Sequence, residues 1–248
     1  MVKRITIISI ILCAAALYVS CSANADENEQ GAGINIHNST ADETSNDVKL
    51  EVITDSLNDG LYTQFLLISG DREVYFDGRL ALNRAGSEEV IVADLTGDNI
   101  PDIAVMFVWG YGTGVSVPEI YIFDGVTLEK YEVKDAVEIA TEQIKSTADD
   151  DYFYVAYEND TLVINKSELD ILFENLFPTA GWGSIYNYAI YNGELYAYMA
   201  PQISAAGFYG TIIIKYEFNA NRFDYNSIEL YDEIILDFLS LKEYLQSR

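Results

Sequence analysis

Residues 185–199 read IYNYAIYNGELYAYM, two β-prone runs of aromatic and aliphatic residues that flank the pair Asn192-Gly193. Both central residues of a type I′ turn need positive φ, and an Asn-Gly pair between such runs is a strong signal for a two-residue hairpin turn. The turn fixes the register, because a slip of one residue would move every side chain to the opposite face. This stretch therefore predicts an antiparallel hairpin with a defined pairing. The predicted pairs are Tyr191 with Glu194, Ile190 with Leu195, Ala189 with Tyr196, Tyr188 with Ala197, and Asn187 with Tyr198.

The two faces of this predicted hairpin differ in character. The core face carries Tyr188, Ile190, Leu195, Ala197 and Met199. The other face carries Asn187, Tyr191, Glu194, Tyr196 and Tyr198. Aromatic surfaces with a polar rim bind flat ligands, sugars or protein partners, so Tyr191, Tyr196 and Tyr198 are candidate ligand contacts. Ordinary sheet surface is the alternative, because tyrosine is favoured in strands by propensity alone.

Similar β-prone runs separated by turn residues occur throughout the chain from Val48 onward. The runs are VYFDGRLAL, IYIFDGVTLEKY, YVAYENDTLVIN and IIIKYEFNANRFDY. Asp77-Gly78 and Asp124-Gly125 are further type I′ signals. The turns fall at about positions 77, 124, 160, 192 and 220, so their spacing drifts where a regular propeller would keep a constant period. The sequence predicts a mainly β fold of serial antiparallel hairpins, either an irregular or a degenerate propeller-like β domain.

Two segments carry helical signals. Asp135 could cap a short helix that runs to Ser146, although strands fit the same residues. Residues 231–246 place apolar side chains at helical spacing, which predicts a C-terminal helix.

The first twenty-five residues have the layout of a secretory signal. Lys3 and Arg4 precede an apolar run over residues 5–19, which is shorter than the about 20 residues that a membrane span needs. The box Val19-Ser20-Cys21 predicts a lipoprotein signal peptide over 1–20 and a lipid on Cys21. The sequence Ala23-Asn24-Ala25 favours the alternative, cleavage by the ordinary signal peptidase and free secretion.

Residues 21–47 are acidic and have almost no large apolar side chains, which predicts a disordered tether before a single domain at 48–248. The chain has 14 basic and 40 acidic residues, a net charge of −26. Removing residues 1–20 takes away two basic residues and gives −26 − 2 = −28. Such a surface repels nucleic acid and anionic lipid, so we expect membrane contact only through the lipid anchor.

The stretch EVIVADLTGDNIPDIAVMFVW contains a loop in which oxygen ligands recur at alternate positions. The candidate metal ligands are the side chains of Asp94, Thr96, Asp98 and Asp102 and the carbonyl of Ile100. Ca²⁺ takes six to eight oxygen ligands from carboxylates, carbonyls and water. Gly97 allows the backbone to curl. This spacing predicts a calcium site, and an aspartate-rich turn without metal is the alternative.

The loop and its flanking strands resemble the FG-GAP or VCBS-type repeat, the integrin-like calcium hairpin. The resemblance implies a structural calcium ion in an extracellular β domain, often a propeller used for adhesion or ligand display. Thr96 stands where the family has Asp or Asn, which weakens the expected affinity for calcium. Asn99 stands where the family has a left-handed Gly, a conformation that asparagine tolerates.

Residue types exclude several kinds of catalysis. The only histidine, His37, falls in the predicted tether, so the domain lacks a histidine for a Ser-His-Asp triad or a zinc site. The sequence has no GxSxG, SxxK or P-loop motif. We expect a non-enzymatic protein that binds an unknown protein or carbohydrate at the bacterial cell surface. The alternative is a carbohydrate-active hydrolase that uses two unrecognised carboxylates.

Overall fold

The computed structural model describes residues 48–82, 88–112, 114–169 and 173–248. The predicted signal peptide at 1–20, the tether at 21–47 and Cys21 lie outside these residues. Within them the strands are β1 (Val48–Val52), β2 (Leu61–Ser69), β3 (Arg72–Ala81), β4 (Glu89–Ala93), β5 (Asp102–Gly112), β6 (Val115–Phe123), β7 (Lys130–Val133), β8 (Lys145–Ala148), β9 (Tyr152–Tyr157), β10 (Asp160–Asn165), β11 (Leu176–Gly181), β12 (Tyr186–Tyr191), β13 (Glu194–Met199), β14 (Gln202–Ser204), β15 (Thr211–Asn219) and β16 (Arg222–Tyr231). The helices are α1 (Ala136–Gln143) and α2 (Phe238–Gln246), and short 3₁₀ turns occur at Thr54–Ser56, Lys166–Glu168 and Phe173–Asn175.

The fold is mainly β, as predicted, and its centre is an eight-stranded sheet in the order β12-β13-β15-β16-β7-β6-β5-β4. Only β16 and β7 pair in parallel, and the other neighbours in this sheet are antiparallel. A parallel bridge between Ser116 and Ile185 joins the start of β6 to the chain just before β12. The sheet is therefore a nearly closed, barrel-like structure. Of the two predicted alternatives, an irregular β domain and a degenerate propeller, it corresponds to the first.

The barrel encloses the largest apolar core. Inward side chains of β13 and β15, such as Ala197, Met199 and Ile214, pack with Ile139 of α1 and Phe153 of β9. Asp135 caps α1, because its Oδ1 accepts hydrogen bonds from the amides of residues 137 and 138 at 2.9 and 3.0 Å. The capped helix predicted after Asp135 is confirmed, although it ends at Gln143 and strand β8 follows.

The small sheet β1-β2-β3 packs on β4 and β5 and forms a second core. Phe65 and Phe107 lie in it with ring centroids 4.3 Å apart. Gly78 lies inside β3 and not in a turn, so the hairpin turn predicted at Asp77-Gly78 is wrong. A Cβ at Gly78 would lie 3.0 Å from the Phe107 ring and 3.1 Å from the Phe65 ring, so close packing explains this glycine.

A third core lies outside the barrel, under the C-terminal segment. Ile235 and Leu241 pack there against Ile213 and the tyrosines of β13. The predicted C-terminal helix is present, but it begins at Phe238, because residues up to Tyr231 continue β16. Asp237 caps this helix by accepting a hydrogen bond from the amide of Ser240 at 2.8 Å. Among the described residues, neither helix has the length and apolar character to cross a membrane.

Candidate functional site

The predicted calcium loop connects β4 to β5 in an antiparallel hairpin whose last pair is Ala93 with Asp102. Gly97 has a φ of 81° and Asn99 a φ of 67°, so both residues adopt the left-handed conformation. The expectation that Asn99 takes the place of the left-handed glycine is confirmed. Asparagine tolerates this conformation because its short polar side chain bonds locally.

The aspartates of the exposed part of this loop accept hydrogen bonds from loop amides. Asp94 accepts one bond at each oxygen, from Gly97 N at 2.7 Å and from Asn99 N at 2.9 Å. Asp98 Oδ1 accepts a bond from Ile100 N at 2.8 Å. The Asp98 bond, to the amide two residues on, is an Asx turn, whereas the Asp94 bonds reach amides three and five residues on. Such local bonds hold the loop closed without requiring an ion.

Asp102 is the buried member of the set, with 2% of its surface exposed. Its Oδ2 accepts hydrogen bonds from Leu95 N at 2.9 Å and Thr96 N at 3.0 Å. Burial raises the pKa of this carboxyl, the charge of Asp98 adds to that rise, and the two amide bonds oppose it. The Thr96 hydroxyl is buried beside this carboxyl and also opposes the rise in its pKa, but its oxygen has no described partner in the geometry of a full hydrogen bond.

Two other turns meet this loop at the same end of the barrel. A Cβ at Gly125 would lie 1.8 Å from the Pro101 carbonyl oxygen, and one at Gly193 would lie 3.0 Å from the Asp94 carbonyl oxygen. In the first of these turns, Asp124 Oδ2 accepts a hydrogen bond from the Tyr131 hydroxyl at 2.9 Å. The amide of Thr127 is the largest cause that lowers the pKa of Asp124.

The type I′ turn predicted at Asp124-Gly125 is wrong. In that turn the positive φ belongs to Leu128, at 59°, and Gly125 is not among the residues with positive φ. Asp124 instead holds the turn by accepting the amides of residues 126 and 127 at 2.9 and 2.5 Å.

The donor set of the loop suits calcium in its chemistry, because it consists of oxygen atoms and includes the unpartnered Thr96 hydroxyl. In the structure, however, each aspartate is turned toward loop amides. Among the described residues, no three His, Cys, Asp or Glu side chains are gathered to hold a metal ion. A calcium ion would therefore have to share these carboxylates with the amides.

No family model, curated protein or solved structure matches this chain. The resemblance to FG-GAP or VCBS-type repeats therefore rests on the loop at residues 94–102 and its flanking strands alone.

The hairpin of β12 and β13 has the predicted register at all five pairs. The predicted exposure of its outer face is wrong, because Tyr196 and Tyr198 are 6% and 3% exposed. The segment that leads into α2 and the helix itself cover them, and Tyr191 is half-buried against the same cluster. Tyr196 and Tyr198 are therefore core residues and do not form an open contact surface.

The polar groups of this hairpin are also engaged within the chain. The Tyr196 hydroxyl donates to Glu194 Oε2 at 2.6 Å, and Lys215 Nζ lies 2.6 Å from Glu194 Oε1. The hydrogen bond from Lys215 is the largest cause that lowers the pKa of Glu194, followed by the bond from Tyr196.

An exposed aromatic surface lies instead on the sheet of β8, β9 and β10. Its outward side carries Tyr152, Tyr154 and Val163, and we call it the tyrosine face. Tyr152 is 38% and Val163 54% exposed, and the register pairs Tyr154 with Val163. The rings of Tyr152 and Tyr154 are 6.2 Å apart between centroids, with an interplanar angle of 42°.

Acidic residues of the β8–β9 turn lie along one edge of the tyrosine face. The Tyr154 hydroxyl donates to Asp149 Oδ2 at 2.9 Å, while Asp149 Oδ1 accepts the Tyr152 amide at 2.7 Å. These bonds lower the pKa of Asp149 and raise that of Tyr154. This surface was not predicted from the sequence, although the alternation of Tyr152 and Tyr154 with Phe153 and Val155 in YFYVAY is a period-2 signal for a strand with one exposed side.

Proposed function

We propose that this chain is an exported lipoprotein of the bacterial cell envelope whose β domain binds a protein or carbohydrate without catalysis. The tyrosine face is the observation that supports this proposal. Exposed tyrosines present an apolar ring and a polar tip, a combination enriched at binding surfaces. The acidic rim offers hydrogen-bond acceptors for sugar hydroxyls or peptide groups.

The N-terminal sequence supports the proposed anchor. A lipid on Cys21 followed by the tether at 21–47 would hold the domain near the membrane and leave its surface accessible. Because a single acyl chain binds membranes only marginally, stable attachment requires more than one chain. The measurement is incorporation of labelled palmitate, which is expected in the wild type and absent in Cys21→Ala. An unlabelled wild-type chain that begins after Ala25 would instead establish free secretion.

Calcium is part of the proposal as a structural ion. It would be held by Asp94, Thr96, Asp98, Asp102 and the carbonyl of Ile100, and it would bring positive charge to a crowded set of carboxylates. The loop amides compete for the same oxygens, so we expect a dissociation constant of about 10⁻⁴ to 10⁻³ M, as in extracellular calcium modules.

Thermal unfolding of the full chain in EDTA and in calcium tests this role. At a free calcium concentration a hundred times the dissociation constant, stabilisation is expected to reach about 2.7 kcal/mol. Asp98→Ala is expected to lose the calcium-dependent shift, whereas Asp71→Ala, in an exposed turn elsewhere, should retain it. An unfolding temperature that is the same with and without millimolar calcium would remove calcium from the proposal.

Retention on isolated cell envelopes tests the binding role. The wild type and the control Tyr75→Ser, whose tyrosine is 65% exposed on another sheet, are expected to be retained equally. The double variant Tyr152→Ser and Val163→Ser is expected to lose retention. Retention that is the same in all three chains would contradict a role for the tyrosine face.

The same samples distinguish the partner classes and the enzymatic alternative. Protease treatment of the envelopes beforehand should abolish retention if the partner is a protein and preserve it if the partner is a carbohydrate. Release of new reducing ends by the wild type would favour the hydrolase alternative, with two carboxyl groups about 5 to 9.5 Å apart as its expected centre.

A further inference from the structure

A groove of about 310 Å³ lies between the end of β16 and α2, away from the calcium loop. Its walls include the rings of Tyr231 and Tyr244 and the side chains of Glu233, Ser240 and Glu243. The two tyrosine rings lie 4.5 Å apart between centroids, with an interplanar angle of 51°. The groove thus combines aromatic surface with carboxylates.

The tyrosine hydroxyls are oriented by glutamates. Tyr231 donates to Glu233 Oε2 at 3.0 Å, and Tyr244 donates to Glu229 Oε2 at 2.9 Å. Burial and the bond to Glu229 raise the pKa of Tyr244 to about 12. Because both hydroxyls are held by these bonds, the rings are fixed in position.

One cation of the chain itself, Arg248, already contacts an aromatic ring and a carboxylate. The Arg248 guanidinium lies 5.5 Å from the centroid of the Tyr244 ring and forms an ion pair with Glu229. An aromatic ring beside a carboxylate is a favourable environment for a guanidinium, which is planar and weakly hydrated. Arg248 therefore shows which kind of group the Tyr244 ring accepts when a carboxylate lies beside it.

Among the described residues, the two carboxylates that line the groove have no cationic partner. Glu233 and Glu243 are exposed, and within the described residues neither forms an ion pair. The chain as a whole carries a net charge of −26, which attracts basic ligands. The groove thus offers Glu233, Glu243 and the Tyr231 ring to a second cation, and the pairing of Tyr231 with Glu233 is similar to the pairing of Tyr244 with Glu229 that holds Arg248.

We infer that this groove binds an arginine side chain of a partner polypeptide, with its guanidinium against Tyr231 and paired with Glu233 and Glu243. A guanidinium fits better than an ammonium, because its planar fork both stacks on rings and bonds carboxylates at two points. This site is separate from the tyrosine face, so it does not depend on the binding role proposed above.

Titration of the ¹⁵N-labelled full chain with the blocked tripeptide acetyl-Gly-Arg-Gly-amide, followed by NMR, tests the inference. Amide shifts are expected to concentrate at residues 231–247, and acetyl-Gly-citrulline-Gly-amide, which lacks the charge, should leave these signals in place. The double variant Glu233→Gln and Glu243→Gln is expected to bind about tenfold more weakly. The matched control Glu73→Gln and Glu132→Gln removes the same charge from exposed sites elsewhere and should bind as the wild type does.

Signals outside residues 231–247 report whether each variant keeps the fold, and all four glutamates are exposed, so folding is expected to be unaffected. Equal shifts with the citrulline peptide, or equal weakening in both double variants, would overturn the inference. The first result would mean that charge is not recognised, and the second would mean that only the overall acidity of the chain attracts the peptide.

Discussion

Two hairpins of this protein have similar sequences and opposite surroundings. The β12–β13 hairpin places Tyr196 and Tyr198 on one side of a strand, and the β9–β10 hairpin does the same with Tyr152 and Tyr154. The first pair is at most 6% exposed, whereas Tyr152 is 38% exposed. The difference lies in α2, a distant segment of the chain that covers one hairpin and leaves the other open. Alternation along a strand therefore defines its two faces but not which face meets solvent.

The largest expected effect comes from removing one tyrosine from each hairpin. Tyr198→Ala is expected to lower the free energy of unfolding by about 3 to 5 kcal/mol, because a large buried ring is lost and a cavity remains. Tyr152→Ala is expected to change it by less than about 0.5 kcal/mol, as at other surface positions. Urea denaturation at neutral pH measures both values. Equal losses in the two variants would mean that the hairpins are covered to the same extent.

Loosening α2 should affect the covered hairpin alone. Asp237→Ala removes the N-cap of this helix and is expected to cost about 1 kcal/mol. Asp135→Ala removes the N-cap of α1 and should cost a similar amount. Amide hydrogen exchange is expected to speed up in β13 for the first variant and around α1 for the second. The same exchange pattern in both variants would contradict the account of α2 as the cover of β13.

The smallest expected effect concerns acid stability. The pKa of Glu194 is lowered, chiefly by Lys215, so this group stabilises the fold above its unfolded pKa of about 4.3. That contribution is lost as the pH falls through the folded pKa. The side chain of Glu194 is 44% exposed, so the effect is about 0.2 to 1 kcal/mol. In Glu194→Gln, stability should fall less steeply with acidification below about pH 4.3. A curve parallel to that of the wild type would show that the Lys215 pair contributes nothing.

Local sequence patterns predicted much of the fold. The Asn192-Gly193 turn has φ values of 53° and 75°, and all five predicted pairs of its hairpin are present. The N-cap at Asp135 and the left-handed Asn99 were also predictable, because each depends on residues close in sequence.

The failures have a common physical cause, which is contact between residues distant in sequence. Gly78 resembled a turn residue, but it is small because the rings of Phe65 and Phe107 lie over it. Gly125 was expected to provide positive φ, but the Pro101 carbonyl leaves no room for a Cβ there. The sequence likewise carried no signal that α2 packs on Tyr196 and Tyr198. The candidate contact surface was therefore assigned to the wrong hairpin.

Chemical labelling of tyrosines by nitration, read by mass spectrometry, tests the central claim most directly. In the free chain, Tyr152 and Tyr75 are expected to react, while Tyr196 and Tyr198 stay unmodified. After the chain binds to cell envelopes, Tyr152 should become protected and Tyr75 should react as before. Unchanged labelling of Tyr152 in the bound chain, or labelling of Tyr196 and Tyr198 in its place, would contradict a binding role for the tyrosine face.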